Sequence, residues 1–203
     1  MAVALVKYPF TEDDWEDVQS FDCGDKDYQR EVSDWLKGRR TEDSALAALA
    51  RENPSRIWLY RLEDDETDDD GPDNLAGFGV LDRSAWRWIG GKDPYLPIAI
   101  LLWFAVQNQF KRQPPGDEDG FYSSQIVDDL IATAMDDRRE RPVLGLCVRL
   151  GNTGAINLYR RKGFTVELST FKDKATQVQY ARMAMILDAA RVAELVAHGK
   201  GRR

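Results

Sequence analysis

Apolar positions fall at helical spacing in the first quarter of the chain and at strand spacing or in unbroken runs later. Residues 11–20 (TEDDWEDVQS) open with Thr and a cluster of acids, which predicts a helix start. Phe21 to Gly24 (FDCG) interrupts the pattern, and Tyr28, Val32, Trp35 and Leu36 then share one face of a second helix over Tyr28–Gly38. A third, Ala- and Leu-rich helix is expected over Thr41–Arg51, stopping before Pro54. Arg56 to Leu62 (RIWLYRL) alternates and reads as a strand, with Leu75 to Leu81 (LAGFGVL) as its partner. Leu96 to Val106 (LPIAILLWFAV) is apolar throughout, as a central strand covered on both sides must be. Beyond a loop rich in Pro, Gly and acids, Ser123 and Ser124 offer an N-cap to a helix whose stripe is Ile126, Val127, Leu130, Ile131, Ala134 and Met135. Val143–Leu150 reads as a strand, 152–163 as a short helix, Phe164–Thr170 and Gln177–Leu187 as the last strands, and Ala189–Ala197 as a closing helix. The pattern predicts one α/β domain over residues 1–203.

Composition narrows the function classes. With 203 residues and 43% hydrophobic content the chain can bury a sizeable core. Its longest apolar run, eleven residues, is too short for a membrane-spanning helix, and the six mostly apolar residues before Lys7 are too few for a signal peptide. Two cysteines, Cys23 and Cys147, read as reduced thiols in a cytoplasmic protein. His198 is the only histidine, which excludes a Cys/His metal cluster, and its polar surroundings predict a solvated end. Net charge is −7, and eight acids lie between Glu63 and Asp73, so the remainder is close to neutral. No broad basic face for nucleic acid is expected. Within that acidic run Glu66, Asp68, Asp70 and Gly71 match part of a calcium loop, but its twelfth position is Gly77 and the bidentate Glu is missing. A solvated loop is the expectation.

The stretch most informative about function is Asn152 to Phe164 (NTGAINLYRRKGF). Its spacing, N-x-x-A-I-x-L-Y-x-x-x-G-F between two strands, resembles the C-terminal signature of the GNAT superfamily of acyl-CoA-dependent N-acyltransferases. FDCG followed by Trp35-Leu36 resembles, in fewer residues, the opening of a GNAT branch that includes toxins acetylating aminoacyl-tRNA. The resemblance covers roughly residues 5–188. It implies a mixed, mostly antiparallel sheet flanked by helices, with a splayed central strand pair, and acetyl-CoA as cosubstrate for transfer to a primary amine. A homodimer through edge strands is a further implication, as is tRNA as a partner in the toxin branch.

The resemblance also assigns residues. The backbone of Phe104, Ala105 and Val106 would pair with the pantetheine arm, and Asn152 would cap its helix and meet the cofactor. Tyr159, two turns on, would be the acid that protonates the CoA thiolate. The alternatives are a plain N-cap for Asn152 and a packed aromatic for Tyr159. The family's phosphate loop, R/Q-x-x-G-x-G/A, is poorly matched. Counting from Ala105-Val106 puts Lys111 in its first slot and Gly116 in its last; counting back from the helix puts Ser123 there, seven residues away. Either the N–H groups around Ser123 and Ser124 hold the pyrophosphate, assisted by Lys111 or Arg112, or cofactor binding has been lost and the fold is a silent binding module. No acid stands between Leu96 and Gln113, which leaves Asp82 or water as the base.

Overall fold

Extended backbone in the second half of the chain is held by neighbours far away in sequence. The computed structural model describes residues 4–37, 56–63, 74–88, 96–111 and 121–200. The expected helix over 41–51, the acidic run over 64–73 and Arg112 lie outside the described residues. Seven strands pair in the order β1-β2-β3-β4-β5-β7-β6. They are β1 (Ala4–Pro9), β2 (Ile57–Glu63), β3 (Leu75–Trp88), β4 (Leu96–Val106), β5 (Val143–Arg149), β6 (Val166–Lys172) and β7 (Gln179–Ile186). The described helices are α1 (Trp15–Ser20), α2 (Asp27–Lys37), α3 (Tyr122–Met135), α4 (Thr153–Arg161) and α5 (Ala189–Lys200). Of the pairings with a defined register, β4–β5 is parallel and the other four are antiparallel. The mostly antiparallel α/β architecture expected from the sequence is the one observed. No described helix is long and apolar enough to cross a membrane.

The chain divides into two compact units, Met1–Val80 with Trp103–Val127, and Leu81–Leu102 with Asp128–Arg203. In the first, β1 pairs antiparallel with β2, and β2 with β3. Strand β1 was not anticipated, because six residues before a helix carry little periodicity of their own and gain strand geometry only from β2. The register of β2 on β3 jumps from Tyr60↔Gly77 to Arg61↔Leu75, so Ala76 is the extra residue of a β-bulge. Aromatic rings fill the core. Phe21 meets Phe78 edge to face at 5.4 Å, and Trp35 stacks on both Phe78 (6.3 Å) and Trp103 (5.0 Å).

The N-terminal helical segment is anchored by charge. It begins as a single 3-10 turn over Glu12–Asp14, where one Asp14 carboxylate oxygen accepts from the Thr11 N–H (2.7 Å) and hydroxyl (2.8 Å). The other accepts from Arg61 on β2 at 2.9 Å, and the same guanidinium binds Asp17 and, at 3.1 Å, the Asn74 side chain. Burial disfavours the charge on Arg61, but the bonds to Asp17 and Asp14 outweigh it and hold its pKa above the ordinary arginine value.

In the second unit β5 is the hub, pairing with β4 over Ile98–Leu101 and with β7 along Val143–Arg149. Among the described residues β6 pairs with β7 alone. Three boundaries differ from expectation. Strand β3 continues through Asp82 to Trp88, so Asp82 is a buried strand residue and does not end the strand. Helix α5 reaches Lys200, which puts His198 in its last turn. Helix α3 starts at Tyr122, so Ser123 and Ser124 are its second and third residues and neither occupies the N-cap.

Arg61→Met tests the buried charge cluster. It leaves Asp14 and Asp17 without their cation, and urea unfolding should show a loss of about 3 kcal/mol or more. A loss below about 1 kcal/mol, the level of an exposed ion pair, would mean the cluster contributes no more than surface charge does.

Candidate functional site

The Asn-led block folds as a helix with both ends closed by local bonds. Asn152 is the N-cap of α4, its side-chain oxygen accepting from the Ala155 N–H at 3.3 Å. At the other end Gly163 donates to the Arg160 carbonyl (3.1 Å) and Phe164 to the Tyr159 carbonyl (3.0 Å). These two bonds form a Schellman motif, which requires a left-handed residue, and Gly163 supplies it at φ +98°. A Cβ there would also lie 2.9 Å from the Met185 methyl. The motif brings together the rings of Tyr159 and Phe164, 5.6 Å apart at 64°. Thus N-x-x-A…L-Y-x-x-x-G-F is the covalent record of one capped helix.

Tyr159 is buried, and burial pushes its phenol well above the ordinary tyrosine pKa. The hydroxyl therefore keeps its proton at neutral pH. On the adjoining strand Cys147 is exposed, with Arg182 opposite it on β7. Partial burial raises its pKa, and Arg182 opposes the rise.

In the first unit the end of β4 is fixed from several sides. The site of a Cβ on Gly77 is 2.7 Å from the Ala105 carbonyl oxygen and 2.6 Å from the Ile126 side chain, so only glycine permits this approach. The bulged Ala76 turns its carbonyl to accept the Gln107 N–H at 2.8 Å. The chain then makes a 3-10 turn over Asn108–Phe110, where the Asn108 N–H donates to the Asp22 carbonyl at 2.7 Å. Lys111 donates to the Cys23 carbonyl, and burial lowers its ammonium pKa. FDCG is thereby seen to be a docking turn. Asp22 accepts from the Gly24 N–H at 2.8 Å, Cys23 donates to Ser33 at 3.1 Å, and Gly24 adopts φ +94° against Gln29 and Asn108.

Two features could meet a ligand. The parallel ladder of β4 with β5 covers Ile98–Leu101 and Val143–Leu146 only, although β4 runs to Val106 and β5 to Arg149. The backbone of Phe104, Ala105 and Val106 lies beyond that ladder. At the start of α3 the carbonyl of Phe121 accepts from Ser124 (2.7 Å) and Gln125 (3.3 Å), while the N–H groups of Tyr122 and Ser123 donate to no described residue. Such free first-turn donors suit an anion. The Ser124 N–H is engaged, so the pair with open donors is Tyr122 and Ser123. Tyr122 was missed because its aromatic type gives no capping signal; its buried ring sits edge-on to Phe110 at 6.1 Å.

No family model and no curated protein matches this chain. Solved structures do. Ard1 from Thermoplasma volcanium is similar over 91% of this chain and 98% of its own, at 20% identity and TM-score 0.57. A protein from Desulfovibrio desulfuricans assigned to the GNAT acetyltransferase family is similar over 92% of this chain and 100% of its own, at 14% identity and TM-score 0.52. The chain has the GNAT fold. A mutant AtaT toxin bound to the C-terminus of the antitoxin AtaR and acetyl-CoA is also similar, over 94% of this chain and 98% of its own, at 13% identity and TM-score 0.58. On the GNAT fold Phe104, Ala105, Val106, Lys111, Ser123 and Ser124 belong to the first unit and Asn152 and Tyr159 to the second.

The capping geometry has a stability consequence. Gly163→Ala forces a side chain into left-handed backbone and should cost about 1–2 kcal/mol in urea unfolding. Gly163→Asn should cost less, since Asn tolerates that conformation. Equal stability of all three chains would show that the cap does not constrain residue 163.

Proposed function

We propose that the protein is an acetyl-CoA-dependent N-acetyltransferase acting on a primary amine. The observation that carries this reading is the short β4–β5 ladder, which leaves strand backbone at Phe104–Val106 outside the pairing with β5. Backbone of that kind can pair with the amide-bearing pantetheine arm as a strand would. The open N–H groups of Tyr122 and Ser123, aided by Lys111, would hold the phosphates, with Arg112 and the Ser124 side chain as further contacts; Asn152 would meet the cofactor from its helix cap. The donor set thus fits the cofactor, and the AtaT structure, of the same fold, holds acetyl-CoA.

The neutral amine attacks the thioester carbonyl carbon, and the oxyanion that develops is met by a strand N–H. Collapse would break the C–S bond, the nitrogen would lose a proton to Asp82 or water, and the sulfur would leave as a thiolate that accepts a hydrogen bond from the Tyr159 hydroxyl. Burial makes the phenol a weaker acid than an ordinary tyrosine, whereas a free thiol titrates near 8.5. Tyr159 accordingly contributes mainly as a hydrogen-bond donor to the departing sulfur, and solvent completes the protonation. The two free cysteines suit a cytoplasmic setting, and self-association would use the edge strands β1 and β6.

A second reading is a toxin-type acetyltransferase acting on aminoacyl-tRNA. It is favoured by the FDCG turn docked on the loop after β4 and by the likeness to AtaT. Acetyl transfer to free small amines but not to charged tRNA would exclude it.

Calorimetric titration with acetyl-CoA tests the first reading, and no heat at millimolar concentrations would overturn it. Tyr159→Phe should lower turnover by about 100-fold while acetyl-CoA affinity stays within about twofold. The wild-type rate should show no fall assignable to the phenol as pH rises to about 10, since its folded pKa lies above the ordinary value. A descending limb near pH 8 that vanishes in Tyr159→Phe would contradict the environment assigned to the phenol.

A further inference from the structure

Arg182 on β7 is exposed, and its neighbours hold its side chain in one place. The guanidinium lies over the Phe171 ring, with Cζ 4.4 Å from the centroid, and Nη1 donates to the Ser169 hydroxyl at 3.4 Å. Phe171 in turn stacks on Tyr180 at 5.4 Å and 17°. Cys147 flanks Arg182 on β5, and on the other side its contacts are with β6, the edge strand of the sheet. The cross-strand register puts Cys147, Arg149, Tyr180, Arg182, Ser169 and Phe171 on one face, a patch with two arginines and no carboxylate. Glu167 belongs to the opposite face, beside Met183, where it pairs with Arg160. Among the described residues no carboxylate meets Arg182.

A guanidinium laid flat on a ring has given up rotamer freedom before any ligand arrives, and its fork of donors matches a carboxylate. Strand β6 ends the strand order, so one side of its backbone faces no described strand. An extended segment added along that side would set alternate side chains beside Ser169 and Phe171, where the Arg182 guanidinium already lies. Charge complementarity decides between possible occupants. A second copy paired through β6 would bring Val166, Ser169 and Phe171 to this face and again no carboxylate. A nucleic-acid strand needs several phosphates neutralised, and two arginines on a chain of net charge −7 do not supply that. We propose that β6 is a docking edge for an extended acidic polypeptide segment whose Asp or Glu side chains pair with Arg182.

Fluorescence anisotropy with a short labelled peptide of alternating glutamate and threonine tests this on the full chain. The peptide should bind, and a counterpart with lysine in place of glutamate should not. Arg182→Gln should weaken binding about 10- to 100-fold, as loss of a charge-assisted hydrogen-bonded pair does. Arg182→Glu should reverse the preference and bind the lysine peptide. In the wild-type chain the glutamate peptide should slow backbone amide exchange over Val166–Lys172, a measurement that stands even where a variant fails to fold. Equal binding of the two peptides, no binding at millimolar concentration, unchanged affinity in Arg182→Gln, or unchanged exchange in β6 overturns the proposal. Tighter binding of a single-stranded RNA of equal charge also overturns it and assigns the face to nucleic acid. Slow exchange in β6 that follows self-association of the free chain overturns it in favour of a second copy.

Discussion

Everything assigned to the first unit depends on how closely β3 lets the end of β4 approach. Gly77 has no Cβ, and the place where one would stand is 2.7 Å from the Ala105 carbonyl oxygen. The bulge at Ala76, one residue earlier, rotates a carbonyl out of the β2 ladder toward Gln107. Together they fix where the strand stops and the direction in which the chain leaves it. Asn108 then reaches Asp22, and Lys111 reaches Cys23, so the turn that closes α1 is set by a strand more than eighty residues away. A side chain at position 77 would displace β4 itself, and the Phe78–Trp35–Trp103 stack with it.

The same local rules decide what could be read from the sequence. The Asn152–Phe164 block was legible because every bond that shapes it spans five residues or fewer: Asn152 to Ala155, Gly163 to Arg160, Phe164 to Tyr159. Residue order alone encodes such a motif. The start of α3 was not, since serine is the better cap by propensity but the ring of Tyr122 is held by Phe110, and the helix begins two or three residues earlier than a Ser123 or Ser124 cap would put it. Strand β1 and the length of β3 were hidden for a related reason. Six residues ending in Pro9 become a strand only by pairing with β2, fifty residues on.

The FDCG turn shows how a short motif acquires a physical meaning. As a string it suggested a branch of acetyltransferases. In the fold each of its residues packs or bonds in its own way. Phe21 enters the aromatic core, Asp22 folds back on Gly24, Cys23 is bonded to Ser33, and Gly24 takes up left-handed backbone. Those contacts secure the loop that follows β4. The motif therefore speaks first to how that loop is held, and to an acceptor substrate only through it.

Tyr159 joins a structural duty to a chemical possibility. The Schellman cap needs an apolar ring against Phe164, and phenylalanine would satisfy it. Burial also pins the phenol in its protonated form. A phenol held in its protonated form at every physiological pH can donate to charge that appears transiently. A departing thiolate is such a charge. The cap explains where the ring sits, and the proposed acetyl transfer would give its hydroxyl a chemical use.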